Sequence, residues 1–211
     1  MILNHGNYAE AYQLYGRKYF HKGFGPRFRS WIYSENPEPY NSWGNGSAMR
    51  VSPVGWYSNS LDEIMAEAKR SAEVTHNHPE GIKGAQSTAS AIYMARTGKS
   101  KNEIKKFISD TFGYNLERKI DDIRPGYKFD VSCQGSVPEA IITFLESSDF
   151  EDAIRLAVSI GGDSDTIACI TGGIAEAYYH TVPEHIIESV FKILPEQMKK
   201  IVETFSGKYR Q

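Results

Sequence analysis

The sequence predicts an all-α domain, and three observations carry the prediction. A cap residue, an acidic residue three positions on, and then apolar residues at helical spacing recur along the chain. Strict two-residue alternation is nearly absent: Tyr127-Lys128-Phe129-Asp130-Val131 is its best instance and stands alone. Glycine and proline fall at the junctions, ending one apolar run or opening the next. About eight to ten helices of ordinary length are expected.

Taken in order, Tyr8, Tyr12, Tyr15 and Tyr19 form an amphipathic stripe on a first helix, the pattern of a core-facing surface. Ser60 with Glu63 opens a helix from 61 to about 75, with Ile64, Ala68 and Ala72 on one face. Pro79 heads the next, through Arg96 and closed by Gly98, and Ser100 with Glu103 opens another that stops at Gly113. Asp121-Asp122, between Ile120 and Ile123, reads as a solvated turn or helix face. Ser136 with Glu139, and Pro138 in the first turn, predicts a helix over 140–146. Asp149 and Asp152 start one that runs to Ser159 and is ended by Gly161-Gly162, while Pro183 and Pro195 head two short C-terminal helices. Residues 34–53 and 124–135 are left irregular, at lengths that are usually functional or mobile inside a compact domain.

The 211 residues suit one domain over 1–211, with 24 Lys and Arg against 26 Asp and Glu, a formal charge of −2. Such a balance supplies no global field for nucleic acid or an anionic membrane. Two cysteines, Cys133 and Cys169, show no zinc or disulfide spacing and suggest a reducing compartment. The opening residues 1–6 lack a basic start and an apolar core, and the low-charge stretch 166–179 is interrupted by Gly172, Gly173 and Glu176. A soluble, cytoplasmic protein is expected.

Three stretches carry chemistry. In Gly161-Gly162-Asp163-Ser164-Asp165-Thr166 two glycines free the backbone just before a helix, and two carboxylates and a hydroxyl follow. Residues two apart on a helix point in nearly opposite directions, so Asp163 and Asp165 converge only if Asp163 precedes the helix proper. Asp163, Asp165 and Thr166 would then offer three hard oxygen ligands to a Mg²⁺-like ion. An N-cap would select the same residues without any metal, and spacing leaves both readings open. In Trp43-Gly44-Asn45-Gly46-Ser47-Ala48-Met49-Arg50 the small residues expose backbone donors as a phosphate-cradling loop requires, or serve a tight turn. Thr75-His76-Asn77-His78-Pro79 is a junction without zinc spacing, which either caps the following helix or touches a nucleotide or sugar.

Together and in this order the three stretches resemble the ADP-ribosylglycohydrolase family, and the segments 133–140 and 150–154 fit the same pattern. The likeness runs from about Trp43 to Tyr179. It implies a compact multi-helix domain that hydrolyses the glycosidic bond between ADP-ribose and a modified protein side chain, with a pair of Mg²⁺ ions in the cleft. On the resemblance, Asp163, Asp165 and Thr166 match part of the metal site, with Asp163 also positioning the attacking water. Gly44, Asn45, Gly46, Ser47 and Met49 match the loop for the diphosphate and distal ribose, and His76 a substrate-contacting histidine. Partners implied are ADP-ribose or an ADP-ribosylated protein.

The family's Thr-Asp-Asp-Thr motif, which precedes the glycine loop, has no counterpart before Trp43, where Glu10, Glu35 and Glu38 are the only acidic residues. The expected domain is therefore N-terminally shortened, its metal site holds at most one Mg²⁺ well, and its activity is weakened. A silent module that binds ADP-ribose, or a helical interaction domain, are the alternatives. If the neighbours of the tyrosine stripe are missing, its exposed surface would drive pairing of two copies.

Overall fold

A computed structural model of the chain describes residues 2–4 and 6–210. Met1 and His5, part of the opening read as carrying no export signal, lie outside them. Twelve α-helices follow one another among the described residues: α1 (Tyr8–Lys18), α2 (Pro26–Trp31), α3 (Gly46–Met49), α4 (Leu61–Glu73), α5 (Pro79–Arg96), α6 (Lys101–Phe112), α7 (Ile120–Ile123), α8 (Cys133–Glu146), α9 (Phe150–Ser159), α10 (Ser164–Tyr179), α11 (Glu184–Ile193) and α12 (Glu196–Tyr209). The count exceeds expectation because α2, α3 and α7 span only four to six residues, too short to show a period. None of the described helices is long and apolar enough to cross a membrane.

Helices α5, α8 and α10 form the centre. α5 buries Gly81, Gly84, Ala85, Ser87, Ala89 and Ala91 among others, and a helix of small residues on every side can be surrounded closely. It packs on α4, α6, α8 and α10. At Gly84 the approach is so tight that an added methyl group would meet the Cys133 side chain of α8. Phe144, Ile141, Ile142, Ile167, Ile170 and Ile174 fill the contact between α8 and α10. Burying each such side chain is worth about 1.5–3 kcal/mol. Within it, the Thr143 and Thr171 hydroxyls lie 2.7 Å apart, and 2.8 and 3.0 Å from Ala140 O, so that one donates to the carbonyl and the other to its neighbour hydroxyl. This satisfied polar pair fixes the register of the two helices, and with it the end at which the candidate site lies.

The first half of the tyrosine stripe faces α4: Tyr8 is buried and donates to Glu67 at 2.6 Å, and Tyr12 donates to Ser71 O at 3.3 Å, while Tyr15 accepts from Gln197 of α12 at 3.5 Å. Two sequence expectations are corrected. α8 starts at Cys133, capped by Ser132 accepting from Gly135 N, so Pro138 lies inside it; Ser136 instead donates to Asp130 O, and Glu139 takes Arg118 at 2.6 Å. The earlier cap prevails because Ser132 is already held in extended backbone. Residues 46–49, expected to be irregular, are helical as α3, whereas 127–131 form no strand, as expected; the β pairing there is one antiparallel bridge between Gly44 and Ser132.

Candidate active site

At the acidic helix start the backbone takes the bend that convergence of Asp163 and Asp165 requires. Gly161 and Gly162 both take positive φ, 79° and 61°, a turn that side-chain-bearing residues enter at a cost. Asp163 follows at φ −81°, ψ 55°, outside the helix proper, and its side chain caps no backbone N–H. Its carboxylate Oδ2 accepts from Asn45 Nδ2 at 2.6 Å instead. Burial holds Asp163 above the usual carboxylate range; the adjacent Asp165 carboxylate adds to this, while hydrogen bonds from Asn45 and Thr166 oppose it. Asp165 is exposed, and Thr166 is buried with its hydroxyl 3.9 Å from Met49 Sδ. Asp163, Asp165 and Thr166 are thus brought together at one point.

The glycine loop meets this point directly. Asn45 N donates to Val131 O at 2.7 Å and Cys133 N donates to Trp43 O at 2.9 Å, pinning the loop to the start of α8. Asn45 is buried and gives both side-chain hydrogens away, to Asp163 and to Ser136 Oγ at 2.9 Å. Ser47 is fully buried and donates to Gly81 O at 2.7 Å, anchoring the loop to α5 from beneath. Gly44 and Gly46 are partly open and Met49 is exposed, so of the five predicted loop residues these three face outwards. The backbone N–H groups of Gly46 and Ser47 find no acceptor among the described residues.

His76 approaches from the other side. A methyl group added at Gly46 would lie 3.3 Å from His76 Nε2, and one at Gly44 3.5 Å, so the ring edge faces both glycines. Burial, with Arg50 adding to it, pushes the imidazole down to about 3, and it is neutral throughout the physiological range. Trp43 packs edge-on against His78 at 5.7 Å, and Phe129 and Val131 stand exposed on the segment that holds the loop. These apolar residues were missed as site candidates; for Phe129 and Val131 the signal was the isolated alternation at 127–131, in a stretch left irregular. A concavity of about 480 Å³ lined by Glu151, Ile154, Arg155, Val158 and His185 lies between α9 and α11 and contains none of these residues.

The donor set can be tested against a hard cation. Asp163, Asp165 and Thr166 supply oxygen only, and among the described residues neither carboxylate has a Lys or Arg partner. The anionic pair raises the proton affinity of its buried member, as close carboxylates without a compensating charge must. That chemistry fits a divalent cation held from one side, with other positions left to water or ligand. No group of three or more His, Cys, Asp or Glu able to hold a metal occurs among the described residues, and the oxygen beside the carboxylate pair is the hydroxyl of Thr166.

Fold and site define an all-α domain in which a carboxylate pair at a helix start is tied by hydrogen bonds to a glycine loop. The chain belongs to the ADP-ribosylglycohydrolase family, whose model it matches over residues 4–211. It is similar to ADP-ribosylhydrolase ARH3 of Bos taurus, at 28% identity over 78% of this chain and 59% of that protein. The Homo sapiens ARH3 is 30% identical over 68% of this chain and 52% of its own length. ADP-ribosylarginine hydrolase Tri1 of Pseudomonas putida (strain GB-1) is 29% identical, over 70% of this chain and 42% of Tri1. The chain therefore spans about half the length of the curated relatives it matches. A solved structure titled "ADP-ribosylglycohydrolase-related protein complex" shares the fold, with a TM-score of 0.70 at 23% identity, over 89% of this chain and 70% of that one.

Proposed function

We propose that this chain hydrolyses the glycosidic bond joining ADP-ribose to a protein side chain or related acceptor, with Mg²⁺ held by Asp163, Asp165 and Thr166. The observation that supports it best is the 2.6 Å hydrogen bond from Asn45 to Asp163, which joins the acidic helix start to the glycine loop across 118 positions of sequence. Bound there, Mg²⁺ would orient ribose hydroxyls and acidify water. The loop side holds the diphosphate: Gly44 and Gly46 let it approach the backbone, and the free N–H group of Gly46 donates to its oxygens. Asp163 has Oδ2 fixed by Asn45, leaving Oδ1 to orient the water that attacks the anomeric carbon. Oxocarbenium character develops at that carbon, and a held ribose with a placed water is what its cleavage requires. With a net charge of −2, attraction of a phosphate ligand comes from the loop and the cation rather than the overall field.

The test is release of ADP-ribose from an ADP-ribosylated protein, with Mg²⁺ and with a chelator. Release that stops on chelation and returns on adding Mg²⁺ is expected; release indifferent to the metal would remove the assigned role of the carboxylates. Absence of both release and ADP-ribose binding at millimolar ligand would remove the whole reading.

A further inference from the structure

The junction between α4 and α5 contains a relay that the proposed reaction does not use directly. The Arg50 guanidinium stacks on the Tyr12 ring, 4.1 Å from its centroid, and Nη2 donates to Thr75 Oγ1 at 2.7 Å and to Ser71 O at 3.3 Å. Thr75 is fully buried, and its Oγ1 lies 2.7 Å from His76 Nδ1. Since Thr75 Oγ1 already accepts from Arg50, its own hydrogen needs an acceptor, and His76 Nδ1 is the one within reach among the described residues. Were Nδ1 the protonated nitrogen, the threonine hydrogen would be buried with no partner, at a cost of about 1–3 kcal/mol.

We propose that Arg50 and Thr75 are positioning residues that fix His76 as the Nε2–H tautomer, so that the ring presents a hydrogen-bond donor to whatever lies over Gly44 and Gly46. The ligand atom recognised is thus an acceptor oxygen, of a phosphate or of a ribose hydroxyl, and a ligand offering only an N–H donor there is refused. Arg50 contributes a second way: its fixed charge behind Thr75 opposes protonation of the ring, which is therefore a neutral donor over the physiological range. Tyr12 ties the relay to α1 by covering one face of the guanidinium. The ligand half rests on the reading of the glycine loop as an ADP-ribose site; the tautomer half does not.

Ring ¹⁵N chemical shifts of the free protein test it, with the His76 signals identified by their loss in His76→Gln. A protonated Nε2 and an unprotonated Nδ1 are expected in the unsubstituted protein. Thr75→Val should move the pair towards a mixture of tautomers, while Thr75→Ser keeps the original pattern. ADP-ribose affinity should fall about tenfold in Thr75→Val, the loss of a correctly presented donor to a charged group. A protonated Nδ1 in the unsubstituted protein, or an unchanged tautomer in a folded Thr75→Val, overturns the proposal. The expected tautomers with no ADP-ribose binding by any variant would overturn the ligand half and the proposed function together, leaving the relay itself supported.

Discussion

At the starts of helices α6 and α10 a serine and a carboxylate stand within one turn of each other, and the two carboxylates are used in opposite ways. At α6, Ser100 and Glu103 form a complete capping box: the serine hydroxyl accepts from Glu103 N, and the Glu103 carboxylate accepts from Ser100 N at 2.9 Å. Hydrogen bonds from Ser100 N and Oγ, and from Lys99, hold this exposed carboxylate down at about 2. At α10, Asp163 is buried, caps nothing, and is held above its usual range. A carboxylate that serves its own helix is stabilised in its charged form by neighbouring donors. One committed to a distant loop and set beside another carboxylate is not, and it is there that the fold leaves charge available to a ligand.

The largest effect should separate the two helices by activity. Asp163→Asn is expected to reduce ADP-ribosyl release by about 10³-fold, in the range for a group acting on the reacting water. Its melting temperature should stay level or rise, because the ionised carboxylate is disfavoured where it sits. A variant with full turnover would place Asp163 with Glu103 as a structural acid.

The next effect is an acid titration. The folded pKa of His76, about 3, lies below the value of about 6.5 expected in the unfolded chain. Between these values the unfolded state binds more protons. The contribution to stability is therefore complete above about pH 6.5 and is lost as pH falls towards 3. Between pH 7 and pH 4.5 this site should cost about 3 kcal/mol, read as a fall in the urea-derived unfolding free energy of the protein that His76→Gln does not show. Glu103 is also shifted downward, from 4.5 to about 2, so its contribution is lost mainly below pH 4.5 and the window above that value belongs to His76.

Asn45→Ala should cost about 2 kcal/mol by leaving the buried Asp163 carboxylate without its donor, and should also lower turnover. Denaturant midpoint and release rate together check this; a stability loss with normal turnover would detach the loop from the chemistry. The smallest effect is at the other helix: Ser100→Ala should lower stability by about 1 kcal/mol and leave turnover unchanged.

Much of the architecture was legible in the chain. Caps at Ser60, Ser100 and Asp149, and the Pro79 start of α5, are local events between residues a turn apart, so spacing alone locates them. The start of α8 was not legible in the same way. Ser136-Val137-Pro138-Glu139 satisfies the cap pattern, but Ser132, four residues earlier and without an acidic residue three positions on, supplies the cap, and Glu139 is claimed by Arg118 from 21 positions away. Likewise the alternation of residues 127–131 marks exposed side chains beside the site rather than a strand, because no second strand reaches them.

The sequence by itself determined the helical class, most helix starts, and which residue types stood ready at the site, since propensity, capping and patterning act within a few residues. Only the tertiary structure decided what those residues do. Asp163 and Asn45, His76 Nε2 and the glycines, Arg50 and Tyr12 are each brought together from separate elements. The same carboxylate is a cap or a candidate ligand according to which donor reaches it first, and that donor is supplied by packing, not by neighbours in the chain.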